Sequence, residues 1–389
     1  MVKRIAITSA YWLPLAVFLA LTSISVVRNL NLLNSSFMTY ALGTALVIYC
    51  TKFLIVVFFL LADLYRILFQ VVRHARVKRT GKPVSQDKNA ITRGKFIRTV
   101  GLATGGLFFS GMIIGMVKWA HDFRVKYVSL QLPRLPKSFD GLRMVQISDV
   151  HLGSWASARP IEEVAEIIKS LDPDLVVFTG DLVNYSTPEA YKFRSALENI
   201  RSKMGVYAIL GNHDYGDYVN WPSVAAKEKN MQQMYDFYNE LGWKLLRNEH
   251  VMLESEGEKI ALIGVENWSA NPRFQKKGNL QEAMEGTESA PVKILLSHDP
   301  THFEYEVSKS YPGIDLTLSG HTHGFQFGVD LKRFRWSLAQ YVFKYWAGMY
   351  QVHNGDSIQY LYVNRGLGTI GYPGRVGILP EITLFTLEA

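Results

Sequence analysis

Five short apolar runs in the last two thirds of the chain, RMVQI, DLVVF, VYAIL, VKILL and IDLTL, each end in residues of the kind that bind cations. They lead into Asp149 and His151 (SDVH), Gly180 and Asp181 (TGD), Asn212, His213 and Asp214 (GNHD), His298 (SHD), and His321 and His323 (SGHTH). Amphipathic stretches separate the runs, and this alternation predicts strands and helices stacked in layers. In α/β sheets ligands collect in the crevice outside the carboxyl ends of the strands. Five loops spread from residue 149 to residue 323 can therefore meet in one place.

Taken singly, each motif has an ordinary structural explanation. SDVH fits an Asx turn, an Asp after Gly fits a turn or helix cap, and GNHD has the composition of a left-handed turn. The GHTH pair says more, because alternate side chains on an extended backbone face the same way. Together the five point to a metal site. The only cysteine, Cys50, lies in an apolar stretch, so thiolate clusters and an intramolecular disulfide are excluded and the ligands must be His, Asp, Glu or Asn.

The first third of the chain has a different character. Residues 5–27, 39–61 and 99–117 are apolar and long enough, at ~1.5 Å per helical residue, to cross most or all of a hydrocarbon core ~30 Å thick. Lys52 falls inside the second of these and calls for a neighbouring helix or a path to the interface; a transport function would rest on it alone. Gly101, Gly105, Gly106, Gly111 and Gly115 give the third span small-residue packing faces. Residues 1–126 hold 17 Lys/Arg against 3 Asp/Glu, and the remainder 25 against 31. The basic excess thus follows membrane topology, and no nucleic-acid partner is expected. Ten of these cations, from Arg66 to Arg98, lie between the second and third spans, which makes that segment cytoplasmic and puts everything after Val117 on the far side.

The ordered set D-x-H, G-D, G-N-H-D, H and G-H-x-H resembles the calcineurin-like metallophosphoesterases over residues 143 to 387. The apolar N-terminus and the tail YVNRGLGTIGYPGRVGILPEITLFTL are similar to the membrane-anchored bacterial YkuE-like branch, with relatives among UDP-diacylglucosamine pyrophosphohydrolases. The resemblance implies an α/β fold, a four-layer α/β/β/α sandwich (127–389) behind a transmembrane helical region (1–126). By motif position it implies that Asp149, His151, Asp181 and His323 hold one divalent ion and Asp181, Asn212, His298 and His321 a second. A ligand set of imidazole, carboxylate and amide suits Mn, Fe or Zn better than Ca. The resemblance further implies attack of an ion-activated water on phosphorus, with His213 as proton donor and Asp214 orienting it. That branch usually reads G-H-T-H-G-G-Q where this chain has Phe325, a change expected at the rim of the site with the ligands intact.

With the resemblance, these residues lead to the expectation of a membrane-anchored dimetal phosphoesterase, acting on a phosphodiester or pyrophosphate and facing out from a bacterial inner or plasma membrane. A catalytically silent metal-binding scaffold or sensor is the competing reading, and a proton donor such as His213 argues against it. The stretch DLKRFRWSLAQYVFKYWAG interleaves Lys332, Arg333, Arg335 and Lys344 with aromatic residues. That mixture suits either a lipid interface, and hence a lipid substrate, or a rim packed on its own domain. Trp155, Tyr215, Tyr218 and Trp268, on or near the same loops, fit either stacking on a base or sugar or, more commonly for such residues, ordinary packing. Arg365 and Arg375 in the tail fit either contact with a phosphate or the commoner role of solvated or capping arginines.

Overall fold

The computed structural model describes residues 11–13, 15–17, 19, 20, 23, 36–81, 93–331, 334–354 and 357–389. They divide into two compact units, Met1–Leu30 with Tyr40–Met116, and Asn31–Thr39 with Val117–Ala389. The boundary falls before the expected 126/127, because a strand already runs across that position.

In the first unit, α1 (Ser36–Thr80) and α2 (Arg93–Val117) are both long and apolar enough to cross a membrane. The expected span at 5–27 lies largely outside the described residues, and those described within it are helical. The span expected at 39–61 is one part of a 45-residue helix. At ~1.5 Å per residue that is ~67 Å, about twice a hydrocarbon core. Hydropathy falls after Leu61 while Arg, Leu, Gln and Lys keep the backbone helical, so the helix outlasts the apolar signal. Lys52 donates to the Tyr11 carbonyl (2.7 Å), with its ammonium 3.9 Å from the Tyr11 ring, so its charge is met by helix packing. Two of the α2 glycines do the work expected of them: a Cβ on Gly101 would strike Phe58, and one on Gly105 would strike Ile55. Gly106 and Gly111 face open space.

The second unit contains β1 (Arg124–Gln131), β2 (Arg143–Ile147), β3 (Leu175–Phe178), β4 (Val206–Ala208), β5 (Lys244–Leu245), β6 (Glu249–Ser255), β7 (Glu258–Gly264), β8 (Lys293–Leu296), β9 (Leu316–Ser319), β10 (Gly328–Leu331), β11 (Phe334–Ser337), β12 (Gly348–Asn354), β13 (Ser357–Val363) and β14 (Glu381–Glu388). One sheet runs β1-β14-β2-β3-β4-β5 and the other β12-β13-β9-β8-β7-β6; β10 and β11 form a separate hairpin. Between the sheets, Met144, Leu175, Val177, Ile294, Leu296 and Leu318 pack with their neighbours into one core. The alternate residues Val145, Ile147, Val176 and Phe178 face outward into a second core. There they meet α3 (Arg159–Ser170) and α4 (Val224–Glu240). Helix α3 presents Ile161, Val164, Ala165 and Ile168, the i, i+3, i+4, i+7 face that a half-buried helix needs. On the outer face of the other sheet, α5 (Leu280–Met284), Phe303 and Val307 cover Ala261, Ile263 and Leu295. The expected α/β/β/α layering is thus present.

The pairs β2–β3, β3–β4, β7–β8, β8–β9 and β9–β13 are all parallel. Strands β2, β3, β4, β8 and β9 therefore deliver their following loops to one end of each sheet. Buried Gln146 ties the sheets together just below that end, donating to Thr179 Oγ1 (3.1 Å) and to the Ser319 carbonyl (3.0 Å).

Placing Leu at Gly105 would overpack the α1–α2 contact, at a cost of about 1–3 kcal/mol. The full-length Gly105→Leu protein in detergent should lose its monodisperse form at a lower temperature than wild type. Gly111→Leu should melt as wild type does.

Candidate metal centre

Strands β2, β3 and β9 each end in a tight turn with left-handed residues. Asp149 (φ 50°), His151 (48°), Asp181 (60°), His321 (70°) and His323 (51°) all have left-handed backbone. Non-glycine residues adopt it at a cost of about 1–3 kcal/mol, and it concentrates at functional sites. Glycines leave the room that this requires: a Cβ on Gly320 would fall on Ser148 and the Asp149 carboxylate, and one on Gly211 would fall on Asp181.

The turns bring six side chains into two buried clusters, Asp149–His151–His323 and Asp181–His298–His321. In the first, His323 Nε2 lies 3.3 Å from Asp149 Oδ1 and 3.0 Å from His151 Nε2. In the second, His298 Nε2 lies 3.2 Å from Asp181 Oδ2 and 3.3 Å from His321 Nδ1. Asp181 Oδ2 is also 3.6 Å from His151 Nε2, so a single carboxylate oxygen addresses both clusters. His321 and His323 do not share a face as alternate residues of an extended strand would. Both are left-handed around a right-handed Thr322, and the turn sends one ring to each cluster.

Asn212 adds a seventh donor, since its Nδ2 donates to Tyr218 (2.8 Å) while its Oδ1 is buried with no partner among the described residues. His298 Nδ1 donates to the Thr179 carbonyl (2.7 Å), which leaves Nε2 for a ligand. Burial lowers the pKa of His151 to about 3, and burial with the neighbouring His151 and Arg375 holds His323 well below its usual value. Both rings are therefore neutral, with lone pairs available. Burial also disfavours charge on His298, yet the Asp181 carboxylate beside it outweighs this and raises it to about 10. These oxygen and nitrogen donors, dry and close together, fit divalent transition metals.

His213 stands next to the clusters, edge-on to His151 (5.0 Å between rings) and stacked on Tyr218 (4.4 Å). Its Nδ1 donates to the Asn184 carbonyl (2.8 Å). Asp214, expected to orient His213, is engaged elsewhere. Its carboxylate accepts from the amides of Asp181 (2.9 Å), Leu182 (2.8 Å), Val183 (3.2 Å) and Gly211 (2.9 Å), binding the β3 and β4 loops together. Backbone amides in a dry turn outcompete a partly exposed ring for the carboxylate, so Asn184 holds the ring instead.

Arg375 is fully buried. It donates to the carbonyls of Arg365 (2.9 Å), Gly366 (3.0 Å) and Gly368 (2.6 Å), and its Nη2 is 3.3 Å from His323 Nδ1. It thus pins the tail loop behind the first cluster. Arg365 is buried too, paired with Glu381 and with Asp330 (3.2 Å). Neither is a solvated arginine, and neither lines the cleft. Asp299, next to His298, lies 3.6 Å from His321 Nε2 and was visible in the motif SHDP. Trp155, Tyr215 and Trp268 are packed in the interior, whereas Tyr218 touches two site residues.

A cleft of about 470 Å³ opens over both clusters. His151, Asp181, Asn212 and His213 form one wall, and Phe325, Leu338, Val342 and Phe343 form part of the other. In the basic and aromatic stretch, Arg335 donates to the Ala347 carbonyl (2.8 Å) and lies over Trp346, so it is committed to packing. Lys332 and Arg333 lie outside the described residues.

A two-sheet α/β sandwich with two His/Asp clusters where its parallel strands end is the architecture of a dimetal phosphoesterase. Residues 142–325 match the family model described as calcineurin-like phosphoesterase. Residues 1–119 match that of a probable calcineurin-like phosphoesterase transmembrane domain. The chain is accordingly a calcineurin-like metallophosphoesterase with an N-terminal transmembrane domain, an integral membrane protein. It is 28% identical over 335 residues to a transmembrane protein with metallophosphoesterase domain from Danio rerio, a match covering 83% of this chain and 70% of that one. It is 29% identical to the uncharacterized metallophosphoesterase YkuE of Bacillus subtilis, covering 77% and 98% of the two chains. A third relative, 28% identical over 60% of this chain and 81% of its own, is the UDP-2,3-diacylglucosamine pyrophosphatase LpxG of Chlamydia muridarum.

Elemental analysis of full-length protein purified with added manganese should give about two equivalents of metal per chain, matching the two clusters. His323→Ala removes a ligand from one cluster only and should leave about one equivalent. Asp181→Ala, which opens both, should lose the greater part of each.

Proposed function

We propose that the protein hydrolyses a phosphodiester or pyrophosphate bond in a lipid or nucleotide-linked lipid, using two divalent ions held by Asp149, His151, Asp181, Asn212, His298, His321 and His323. The observation that carries this reading is the single Asp181 oxygen within 3.2 Å and 3.6 Å of histidine nitrogens from both clusters. A shared carboxylate offsets the repulsion between two closely spaced cations. Manganese, iron or zinc, bound there, would supply an acidic water as nucleophile and positive charge for the phosphoryl oxygens.

The chain's own residues do the rest. Asp214 fixes the loops that carry Asp181 and His213 by collecting their amides, and Arg375 fixes the tail behind His323. His213 donates through Nδ1 to Asn184, so only as the imidazolium does it carry a second proton, on Nε2, to give to the departing oxygen. The neutral, apolar wall of Phe325, Leu338, Val342 and Phe343 excludes water on the side away from the clusters and suits a substrate with a hydrocarbon part. The likeness to a UDP-2,3-diacylglucosamine pyrophosphatase supports a substrate of that kind.

The catalytic unit lies outside the cytoplasm in this reading. Arg66, Arg73, Arg76, Lys78 and Arg79 at the end of α1 and Arg93, Lys95 and Arg98 at the start of α2 mark the cytoplasmic side. A single crossing by α2 then carries the chain across, however many spans precede it. A periplasm-dependent reporter fused after Ala389 should be active; activity only of a cytoplasm-dependent reporter would reverse the orientation.

Purified protein should hydrolyse bis-p-nitrophenyl phosphate only with manganese or a similar ion, and Asp181→Asn should abolish the reaction. His213→Ala should keep its metal while kcat falls about 100-fold, the lower range for losing a general acid. Wild-type protein that is metal-replete and inert on a broad panel of phosphate esters would favour the scaffold.

A further inference from the structure

The apolar wall of the cleft continues out of the site. Phe325, Leu338 and Val342 line the cleft and are themselves exposed. The same stretch of chain forms the β10–β11 hairpin, where Val329, Leu331 and Phe334 are exposed and Leu331 pairs with Phe334 across the ladder. With Tyr341, these large apolar side chains are between 37% and 73% exposed, and the residues joining Leu331 to Phe334 are Lys332 and Arg333. Exposed apolar residues so concentrated mark an interaction surface, and basic residues among them suit anionic head groups.

Two observations indicate what covers it. Asp330, next to the tip pair of the hairpin, pairs with Lys126 of β1 at 3.3 Å, and β1 starts at Arg124, shortly after α2 ends at Val117. The six residues between Val117 and Arg124 make a link of at most ~25 Å when fully extended, so β1, to which the hairpin is paired, is on a short tether to a membrane-spanning segment. The second observation is Phe325, whose backbone has φ 51°, a region that bulky side chains rarely adopt. Gln326 locks this turn by donating to the carbonyls of Tyr372 (2.7 Å) and Gly374 (2.9 Å) and accepting from Ile370 (2.7 Å). Glycine would take the conformation without strain, yet the chain holds an aromatic ring there, edge-on to Phe343 (6.2 Å). Phe343 in turn packs on the ring of His321 (5.6 Å). The aromatic series runs from the exposed rim to a predicted metal ligand.

We propose that this rim seats in the bilayer that holds the chain's own helices and receives lipid acyl chains along the Phe325–Phe343 wall. This deepens the phosphoesterase reading and rests on it for the identity of the site. A lipid phosphate then reaches the metal ligands while its hydrocarbon stays in contact with apolar surface, avoiding the cost of drawing methylenes into water.

The test uses the full chain in phosphatidylglycerol/phosphatidylcholine vesicles. Phe334→Cys in a Cys50→Ser background, labelled with an environment-sensitive fluorophore, should emit at shorter wavelength and be quenched by lipids brominated on their acyl chains. The same label at Tyr191, exposed on the helical face of the domain, should show neither effect. A blue shift without lipid quenching that grows with protein-to-lipid ratio would assign the rim to a second copy and overturn the proposal, as would a label at 334 that stays in water. The paired variant Leu331→Ser/Phe334→Ser should lower turnover of a vesicle-embedded phospholipid or lipid diphosphate at least 10-fold and leave bis-p-nitrophenyl phosphate hydrolysis unchanged. Equal loss on both substrates would overturn it. The quenching arm reads seating whether or not the site turns over, so failure of the seating and failure of the phosphoesterase reading are separable.

Discussion

The charges at the end of the sandwich set the terms for everything around them. Asp149 and Asp181 are buried together with His151, His298 and His323, where water screens nothing. Burial and the neighbouring Asp181 push the pKa of Asp149 up to about 7, and the Asp181 carboxylate raises that of His298 to about 10 against the effect of burial. Such a set is stable only with compensating positive charge, and the divalent ions that its donor atoms fit would supply it. The rest of the fold holds this arrangement open against its own repulsion. Parallel strands aim the loops, glycines let them approach, and Asp214 and Arg375 gather their backbones.

These two residues show how positioning differs from reaction. Asp214 spends its carboxylate on four amides from two loops, so its effect on chemistry passes through the placement of Asp181 and His213. Arg375 spends its guanidinium on the carbonyls of a loop that also sends the amides of Leu367 and Gly368 to Ser148 and Asp149. A buried arginine satisfied by carbonyl groups is costly to replace, because every partner it leaves would be orphaned in a dry interior.

The residues that form the two clusters were legible in the sequence because the chemistry of a metal site restricts residue type, and an apolar run before each motif announces a strand. All seven expected ligands sit in or beside the two clusters. The conformation that places them was not legible. GHTH looks extended on paper, yet His321 and His323 take a left-handed turn that only the crowding of Gly320 against Asp149 explains. The partners of Asp214 and Arg375 were hidden for a related reason, since backbone amides and carbonyls are the same at every position and leave no mark in a sequence. Helix α1 was underestimated because hydropathy reports where lipid ends, while helix propensity continues through the basic residues to Thr80.

Strand β1, which follows directly on the membrane segment, lies at the edge of its sheet and pairs with one neighbour, the final strand β14. The register runs from Arg124 with Glu381 to Gln131 with Glu388, so β1 depends on a strand from the far end of the domain's sequence. Pairings between strands so distant in sequence form slowly. Because β14 also separates β1 from β2, the strand tethered to the membrane segment joins its sheet only once that distant partner has docked.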